Sequence, residues 1–269
     1  LEFIKKFKLK KIKAIITMHL GGYPENALEI FKLKKKYKCF IIEDACHGFG
    51  SKYDYKNRKI PIGSCLHSDI STFSFHPVKG VTTGEGGALT TNNPKLAKKI
   101  SLLINHGIVR KRNHWNYDIV TNGFNFRLSE INCALGLSQL NKLNNFIKYR
   151  DKIFRYYKKK LSNLDHFFKI PNYNKSDLPS YHLIIISINF KKLKSNRDLF
   201  FKYMLKNKIY LQLHYKPIFF FSIFKKDKNK KFYVKNYNGT IYYSKNSCSF
   251  PIYHNIGLKS IDYVLKKTI

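Results

Sequence analysis

Acidic side chains, arginines and long apolar runs are scarce in this 269-residue sequence. The chain has 16 aspartates and glutamates against 51 lysines and arginines, so its formal net charge is +35. Only seven of the basic residues are arginine, the side chain best suited to bidentate phosphate and base-edge contacts, and the lysines are spread along the chain. The charge therefore predicts a solvated lysine surface. A nucleic-acid-binding protein stays an alternative if those lysines share one face.

Other scarce features exclude further classes. No apolar run approaches the roughly 18 residues of a membrane span, so no membrane-spanning helix is predicted. The five cysteines are scattered, odd in number and form no CxxC pair, so neither a disulfide framework nor a metal site is indicated. The first residues show no signal-peptide layout. A reduced, cytoplasmic setting is expected, and 43% hydrophobic residues indicate a globular chain.

The first half of the chain alternates short apolar runs with amphipathic segments. Strands are predicted at 13–19, 39–50, 69–75 and 86–92, and helices at 25–37 and 94–107. Because strand, helix and strand follow in that order, we expect an α/β layer fold with a mostly parallel sheet.

The pattern changes after residue 126. One long helix or two consecutive helices are predicted over 127–161, with Ser129 as the N-cap. The remaining predictions are strands at 177–190 and 209–218, a helix at 195–208 and a charged, poorly periodic insertion at 225–239. We expect two domains: residues 1–160, a large domain with its long connecting helix, and residues 161–269, a smaller α+β domain.

An acid and a lysine follow two of the predicted strands. Asp44 ends the run "CFIIED", and Lys79 follows "DISTFSF" within "FHPVKG". Functional groups gather at the carboxyl ends of strands in open α/β sheets, so the two side chains can converge. Pro77 fixes its own φ and Gly80 permits an unusual φ, which favours a defined turn around Lys79. On the residues alone, a salt bridge is the ordinary explanation of such a pair.

Pyridoxal phosphate chemistry also uses such a pair. Its lysine forms a Schiff base with the cofactor and moves protons, and its carboxylate keeps the pyridine nitrogen protonated. His47, three residues after Asp44, could meet a ring substituent. Three hydroxyl residues on the strand before Lys79 could hold the phosphate: Ser71, Thr72 and Ser74. The residues alone leave both interpretations open.

Four blocks then stand out in order: "IIEDACHGFGSKY", "SDISTFSFHPVKGVTTGEGGALTTN", "INHGI" and "GFNFRLSEINCALGLSQLNKL". In order and spacing they resemble the signature blocks of the DegT-type nucleotide-sugar aminotransferases. The resemblance runs from about residue 13 to the C-terminus. It implies the type I pyridoxal-phosphate transferase fold, here as an incomplete large domain with a mostly parallel sheet plus a smaller α+β C-terminal domain.

Within the family, the segments "SFHPVK", "TTGEGGA" and "LHYKPI" look most like those of the enzymes that act in pseudaminic acid synthesis. Such enzymes aminate a UDP-linked 4-keto-6-deoxy-N-acetylhexosamine at C4, with glutamate as amino donor. The lysine at position 79 favours transamination, because the similar sugar 3-dehydratases carry histidine there. The resemblance thus implies a transaminase for cell-surface or flagellar glycans, with no nucleic-acid or membrane partner.

The resemblance also implies roles for particular residues. Lys79 would carry the cofactor, Asp44 would pair with the pyridine nitrogen, and His47 would lie beside the ring oxygen. Ser74 would bind the phosphate, and Asn125 would reach the cofactor phosphate of a second subunit, so that a homodimer would share its active sites. The weaker candidates for the sugar-nucleotide pocket are His76, His106, His214 and Tyr215.

Other residues of the blocks have simpler structural explanations. Turn formation and close packing explain Gly84, Gly86 and Gly87. Glu43 is expected to be structural. Arg127 is as consistent with a structural or interface residue as with a ligand, and His214 as consistent with a buried structural histidine.

One departure from the family keeps a second hypothesis open. Family members begin with strands and a helix whose Gly-Thr start holds the phosphate, and the sequence contains no such block. We therefore expect a sheet without its first strands. The alternative is a truncated or non-catalytic remnant, or a subunit, with impaired cofactor binding.

Overall fold

The computed structural model describes residues 11–24, 26–110, 113 and 115–269. They belong to two compact units. The first unit ends at Ile147 and takes in Tyr173–Ser180, and the second consists of Lys148–Asn172 and Tyr181–Ile269. The boundary predicted near residue 160 falls inside the second unit, and the division into domains 1–160 and 161–269 stays a prediction. Each unit is described below by itself.

The first unit combines strands and helices in alternation. Its strands are β1 (Ala14–Met18), β2 (Phe40–Asp44), β3 (Lys52–Tyr55), β4 (Arg58–Pro61), β5 (Ile70–Ser74), β6 (Gly87–Thr90), β7 (Ile108–Arg110) and β8 (Tyr117–Ile119). Its helices are α1 (Ala27–Tyr37), α2 (Pro94–Ile104) and α3 (Glu130–Leu140). The predicted helix at 25–37 begins at residue 25, which lies outside the described residues.

A four-stranded sheet in the order β1-β2-β5-β6 organises this unit. β1, β2 and β5 are parallel, and β6 is antiparallel to β5. The other strands pair as the antiparallel hairpins β3-β4 and β7-β8. The prediction of a mostly parallel α/β sheet is therefore confirmed.

Local sequence signals explain where the helices start. The side chain of Asn93 accepts hydrogen bonds from the backbone N–H groups of Lys95 and Leu96, and Pro94 occupies the first turn of α2. The Ser129 side chain accepts a hydrogen bond from the Asn132 N–H, which confirms Ser129 as the N-cap of α3.

The second unit has an antiparallel sheet with helices. Its strands are β9 (Phe168–Lys169), β10 (Ile184–Ile188) and β11 (Ser247–Phe250), in the order β11-β10-β9. The helices are α4 (Leu143–Leu161, in this unit from Lys148), α5 (Arg197–Lys206), α6 (Lys230–Asn236), α7 (Asn238–Asn246) and α8 (Leu258–Thr268). The core buries Ile153, Phe154 and Tyr157 of α4, Ile184, Ile186 and Ile188 of β10, and Ile261 of α8. One long helix or two consecutive helices were predicted over 127–161, and the structure has two, α3 and α4.

Two segments of the second unit differ from the prediction. Residues 209–218 do not form a strand: Gln212 makes one isolated antiparallel bridge with Ser249. Pro217 lacks the N–H group that a longer ladder would need, and a short 3₁₀ turn follows at Ile218–Phe220. The predicted insertion at 225–239 contains the regular helix α6.

Membrane-spanning helices and metal-binding clusters are both absent from the described residues. Among the described residues, none of the helices has the length and apolar character of a membrane span. The same part of the chain holds no cluster of three histidine, cysteine, aspartate or glutamate side chains that could bind a metal ion.

Candidate functional site

The carboxyl ends of β2 and β5 lie side by side. The strands are parallel and pair Glu43 with Ser71 and Asp44 with Thr72. Alternation along the strands places Glu43 and Ser71 on the buried face of the sheet. Asp44, Thr72 and Ser74 lie on the opposite, half-exposed face. This face therefore presents a carboxylate and two hydroxyl groups at one sheet edge.

Backbone contacts fix Asp44. Its carbonyl oxygen accepts a hydrogen bond from the His19 N–H at 3.2 Å. Its side-chain Oδ1 accepts the Cys46 N–H at 3.1 Å, so the carboxylate folds back over the turn that follows β2. An Asx turn of this kind holds a short acid in one orientation.

The thiol of Cys46 is within reach of the charges of both Asp44 and Lys79. The pKa of this thiol is raised to about 11, first by burial and then by the hydrogen bond and negative charge of Asp44, whereas the positive charge of Lys79 acts to lower it. The carboxylate and the lysine thus both act on one side chain at the ends of β2 and β5. In the sequence Cys46 is one of five scattered cysteines, although its place two residues after Asp44 is a signal for an Asx turn.

A closed turn carries Lys79. The Phe75 N–H donates to the Gly86 carbonyl at 2.9 Å, and the Thr83 N–H donates to the Phe75 carbonyl at 3.0 Å. Within the turn, the Lys79 N–H donates to the His76 carbonyl at 2.9 Å, and the lysine is half-buried. The predicted defined turn is therefore present. The expectation for Gly80 is wrong, because its φ lies outside the left-handed region and a Cβ there would meet nothing within 4 Å.

The glycines that close this turn act through conformation and space. Gly84 has a φ of +81°, in the left-handed region. A Cβ on Gly86 would lie 2.5 Å from Thr83 Oγ1, and one on Gly87 would lie 2.6 Å from the Phe73 carbonyl oxygen. The prediction of turn and close-packing roles is confirmed.

Glu43 is a buried hub behind Asp44. Its carboxylate accepts hydrogen bonds from the hydroxyls of Ser68, at 3.0 Å, and of Ser71. His19 Nε2 lies 3.5 Å from Oε1. Burial raises the pKa of Glu43, but the interactions with His19, Ser71 and Ser68 outweigh it, so the pKa is lowered overall. These contacts give Glu43 the structural environment that was expected.

Two predicted residues lie near the ends of the same strands. His47 is buried, its Nδ1 accepts the Gly21 N–H at 3.3 Å, and its carbonyl accepts the Ser180 hydroxyl at 3.0 Å. His76 lies in the lysine turn, is exposed, and places Nε2 3.8 Å from Glu85 Oε1.

Other predicted residues of the first unit gather at the end of α2. Asn125 is exposed and makes an isolated antiparallel bridge with Asn105. Arg127 Nη1 donates to the Asn105 side chain at 2.8 Å, and the His106 N–H donates to the Phe124 carbonyl at 2.9 Å. The structure thus places Asn125, His106 and Arg127 in a second group.

His214 and Tyr215 belong to the second unit. His214 Nδ1 lies 2.8 Å from the Ser249 hydroxyl, and the Tyr243 hydroxyl donates to the His214 carbonyl. Tyr215 keeps 46% of its surface exposed. His214 is therefore held by β11, as a structural histidine would be.

The model of the DegT/DnrJ/EryC1/StrS aminotransferase family matches residues 2–268. The chain belongs to this family. The resemblance found in the sequence is thereby confirmed.

Two curated family members illustrate the likeness. The Campylobacter jejuni (strain 81-176) UDP-4-amino-4,6-dideoxy-N-acetyl-beta-L-altrosamine transaminase is 38% identical over 256 residues, which are 94% of this chain and 64% of that protein. The Helicobacter pylori transaminase of the same name is 30% identical over 264 residues, 97% of this chain and 66% of that protein. The chain thus spans just under two thirds of these relatives.

Solved structures of the family confirm the predicted fold class. The H. pylori aminotransferase PseC, involved in the biosynthesis of pseudoaminic acid, superposes with a TM-score of 0.83 at 29% identity, over 95% of this chain and 65% of that one. The PLP form of the putative sugar aminotransferase Spr1654 from Streptococcus pneumoniae has a TM-score of 0.84 at 24% identity, over 98% and 69%. At that identity the second likeness concerns the fold alone.

Proposed function

We propose that the chain acts as a pyridoxal-phosphate-dependent aminotransferase on a nucleotide-linked sugar. Its substrate would be a UDP-linked 4-keto-6-deoxy-N-acetylhexosamine, its product the 4-amino sugar, and its amino donor L-glutamate. The observation that carries the proposal is the edge where the parallel strands β2 and β5 end, because Asp44 ends β2, Lys79 lies in the turn after β5, and the charges of both act on Cys46. Family membership and the names of the relatives support the substrate class.

The groups on the half-exposed face suit pyridoxal phosphate. When bound, the cofactor supplies an electron sink that lets a proton leave the carbon next to the amino group. Asp44 would hold the proton at the pyridine nitrogen. The Ser74 hydroxyl accepts the His76 N–H at 3.4 Å, so its own proton can be donated to a phosphate oxygen.

Lys79 would carry the cofactor and move the protons of the reaction. Its amine would take the proton from the α-carbon of glutamate and later deliver a proton to C4 of the sugar. The turn closed by Phe75 and Gly86 would hold the lysine backbone in place while the side chain changes its rotamer. His47 would lie beside the ring oxygen of the cofactor.

The remaining assignments concern partners and setting. Asn125 would bind the cofactor phosphate of the second subunit in a homodimer. The sugar nucleotide would be contacted by His76, His106, His214 and Tyr215. The reaction would take place in the cytoplasm and serve cell-surface or flagellar glycan synthesis.

Borohydride trapping tests the proposal directly. The purified chain is mixed with pyridoxal phosphate, reduced and digested, and the labelled peptide is identified by mass spectrometry. We expect the label on Lys79, because it lies in the turn after β5 and its charge acts on the same thiol as that of Asp44. Lys79→Ala should abolish the label, and Lys95→Ala, an exposed lysine at the start of α2, should keep it. In parallel, transfer of ¹⁵N from glutamate to the keto sugar should be lost in Lys79→Ala.

A label on another lysine would contradict the site. No label, while the chain remains folded by circular dichroism, would favour the alternative of a non-catalytic or cofactor-impaired form.

A further inference from the structure

One face of α3 contacts the turn that carries Lys79 (residues 75–86). Asn132 and Gly136 lie four positions apart in α3 and therefore on the same side of the helix. The Asn132 Nδ2 donates to the Thr83 carbonyl at 2.6 Å and to the Glu85 carbonyl at 3.1 Å. Both carbonyls belong to the returning half of the turn, between Lys79 and β6. The helix and the lysine turn are therefore joined through a single amide side chain.

The hydrogen bonds of the Asn132 amide fix its orientation. Its NH₂ group donates to both carbonyls of the turn, and its Oδ1 accepts the Ser129 hydroxyl at 2.5 Å. In the reverse orientation, the amide oxygen would face two carbonyl oxygens, which offer no hydrogen to accept. The side chain is half-buried, so the loss of these bonds would be costly. The amide therefore acts as a directed donor toward the turn, supported by the N-cap residue of its own helix.

Thr83 connects this amide to the bonds that close the turn. Thr83 is buried, its N–H donates to the Phe75 carbonyl at 3.0 Å, and its hydroxyl donates to the Glu85 carbonyl at 2.8 Å. The Phe75 N–H donates in turn to the Gly86 carbonyl at 2.9 Å. Asn132 thus holds the residue through which the turn closes on Phe75.

Two glycines allow the helix and the turn to approach each other. A Cβ on Gly136 would lie 2.7 Å from Thr83 Cγ2, and a Cβ on Gly86 would lie 2.7 Å from Leu128 Cδ1. Glycine is unfavourable inside a helix relative to alanine, so Gly136 has a packing reason for its place in α3. The close approach brings Asn132 within hydrogen-bond distance of the turn.

We propose that Asn132 is a positioning residue for the reaction at Lys79. It fixes Thr83 and Glu85 against α3, so the turn stays closed and the Lys79 backbone keeps its place after β5 while the amine moves protons. Asn132 acts through the turn and not on the reacting atoms. The link to a reaction rests on the proposed function, whereas the anchoring of the turn rests on the contacts of Asn132.

Asn132→Asp separates the anchor from the start of the helix. Asn132 is the third residue after the N-cap, where an acidic side chain favours a helix. A carboxylate has no hydrogen to donate and would face two carbonyl oxygens, so the turn should loosen while α3 keeps its start. Asn132→Gln retains the NH₂ group and should restore most of the anchoring. The charge-matched control is Ile131→Asp, at a neighbouring position that is 83% exposed.

Hydrogen exchange followed by mass spectrometry measures the turn without any cofactor. The amides of peptide 75–86 should exchange roughly tenfold faster in Asn132→Asp, because two hydrogen bonds to the turn are lost. The peptides of β1 and β2 should exchange as in the unmodified chain. Asn132→Gln and Ile131→Asp should leave the exchange of peptide 75–86 nearly unchanged. Unchanged exchange of this peptide in Asn132→Asp would overturn the proposal.

The labelling of Lys79 separates positioning from a merely structural role. At a limiting concentration of pyridoxal phosphate, borohydride should label Lys79 roughly fivefold less in Asn132→Asp, because the lysine is held less well in the reactive geometry. Asn132→Gln should recover the label. Faster exchange with undiminished labelling would overturn the proposal, because the amide would then serve the fold alone. If the unmodified chain takes no label, the proposed function is contradicted, and the exchange measurement alone decides whether Asn132 anchors the turn.

Gly136→Ala is a second perturbation of the same contact, and it decides if Asn132→Asp does not fold. Its methyl group would press on Thr83, although alanine favours the helix itself. Peptide 75–86 should again exchange faster and Lys79 should take less label. The control is Ser138→Ala, at an exposed position of α3. Equal exchange of peptide 75–86 in these two alanine variants would overturn the proposal.

Discussion

The sheets of the two units bury different kinds of side chain. In the first unit, the buried face holds the charged Glu43 and the hydroxyl of Ser71 beside apolar neighbours. In the second unit, β10 buries its isoleucines: Ile184, Ile185, Ile186 and Ile188. An apolar core stabilises in proportion to its buried area, whereas a buried carboxylate has to recover its desolvation cost through hydrogen bonds.

In the first sheet, the buried polar side chains stand next to the candidate site. Glu43 directly precedes Asp44 on β2, so the polar hub stands behind the residue that would face the cofactor. Hydroxyl donors from β5 and the ring of His19 after β1 meet this hub. The first sheet thus uses directional bonds to align three strand ends, whereas β10 of the second sheet relies on apolar packing.

The largest expected effect concerns the apolar core. Ile186 is fully buried, and Ile186→Ala should lower the free energy of unfolding by about 2–5 kcal/mol. Ile131 on α3 of the first unit is 83% exposed, and Ile131→Ala should change it by less than about 0.5 kcal/mol. Urea unfolding followed by circular dichroism measures both. Similar losses in the two variants would break the contrast between them.

A smaller effect should come from the polar hub, and it should depend on pH. Because the pKa of Glu43 is lowered in the folded chain, its carboxylate stabilises the fold above the ordinary pKa, and this contribution is lost as the pH falls through the folded-state value. Glu43→Gln should therefore cost about 2 kcal/mol at pH 7 and progressively less below pH ~4.5.

The control for this pH dependence is Glu130→Gln, an exposed acid on α3. Its unfolding free energy should follow that of the unmodified chain from pH 7 to pH 3. A Glu43→Gln variant with the same pH profile as the unmodified chain would show that the hub carries no proton-linked stability.

The smallest effect should arise at the lysine turn. A Cβ on Gly87 would lie 2.6 Å from the Phe73 carbonyl oxygen, so Gly87→Ala should cost about 1–2 kcal/mol by displacing β6 from β5. Gly80→Ala meets open space and should stay within about 0.5 kcal/mol. Thermal unfolding of the two variants gives the comparison. A Gly87→Ala variant as stable as the unmodified chain would show that β6 can move away from β5 at little cost in free energy.

Features that depend on neighbouring residues were predictable from the sequence. Apolar runs located the four strands of the first sheet, and Ser129 marked the start of α3 because an N-cap is a local signal. The charges of Asp44 and Lys79 both act on Cys46, which agrees with a topological rule about strand ends that holds once the strands are parallel.

Features that depend on distant partners were not predictable. The segment 209–218 is apolar enough for a strand, but it makes one isolated bridge, between Gln212 and Ser249. Pro217 lacks the N–H group that a longer ladder would need. The sequence of segment 218–237 has no periodic pattern. It folds as two 3₁₀ turns and a short helix: Ile218–Phe220, Ser222–Phe224 and Lys230–Asn236. The thiol of Cys46 becomes informative only when the charges around it are known.

The antiparallel pairing of β6 with β5 has a consequence for the order of folding. These strands are joined by the short lysine turn, whereas β1-β2 and β2-β5 are parallel pairs that join more distant parts of the chain. Local contacts close with little loss of chain entropy and form early, and long-range parallel contacts form late. The turn that carries Lys79 would thus form before β2, which carries Asp44, pairs with β5, and this pairing would be the slow step in assembling the sheet.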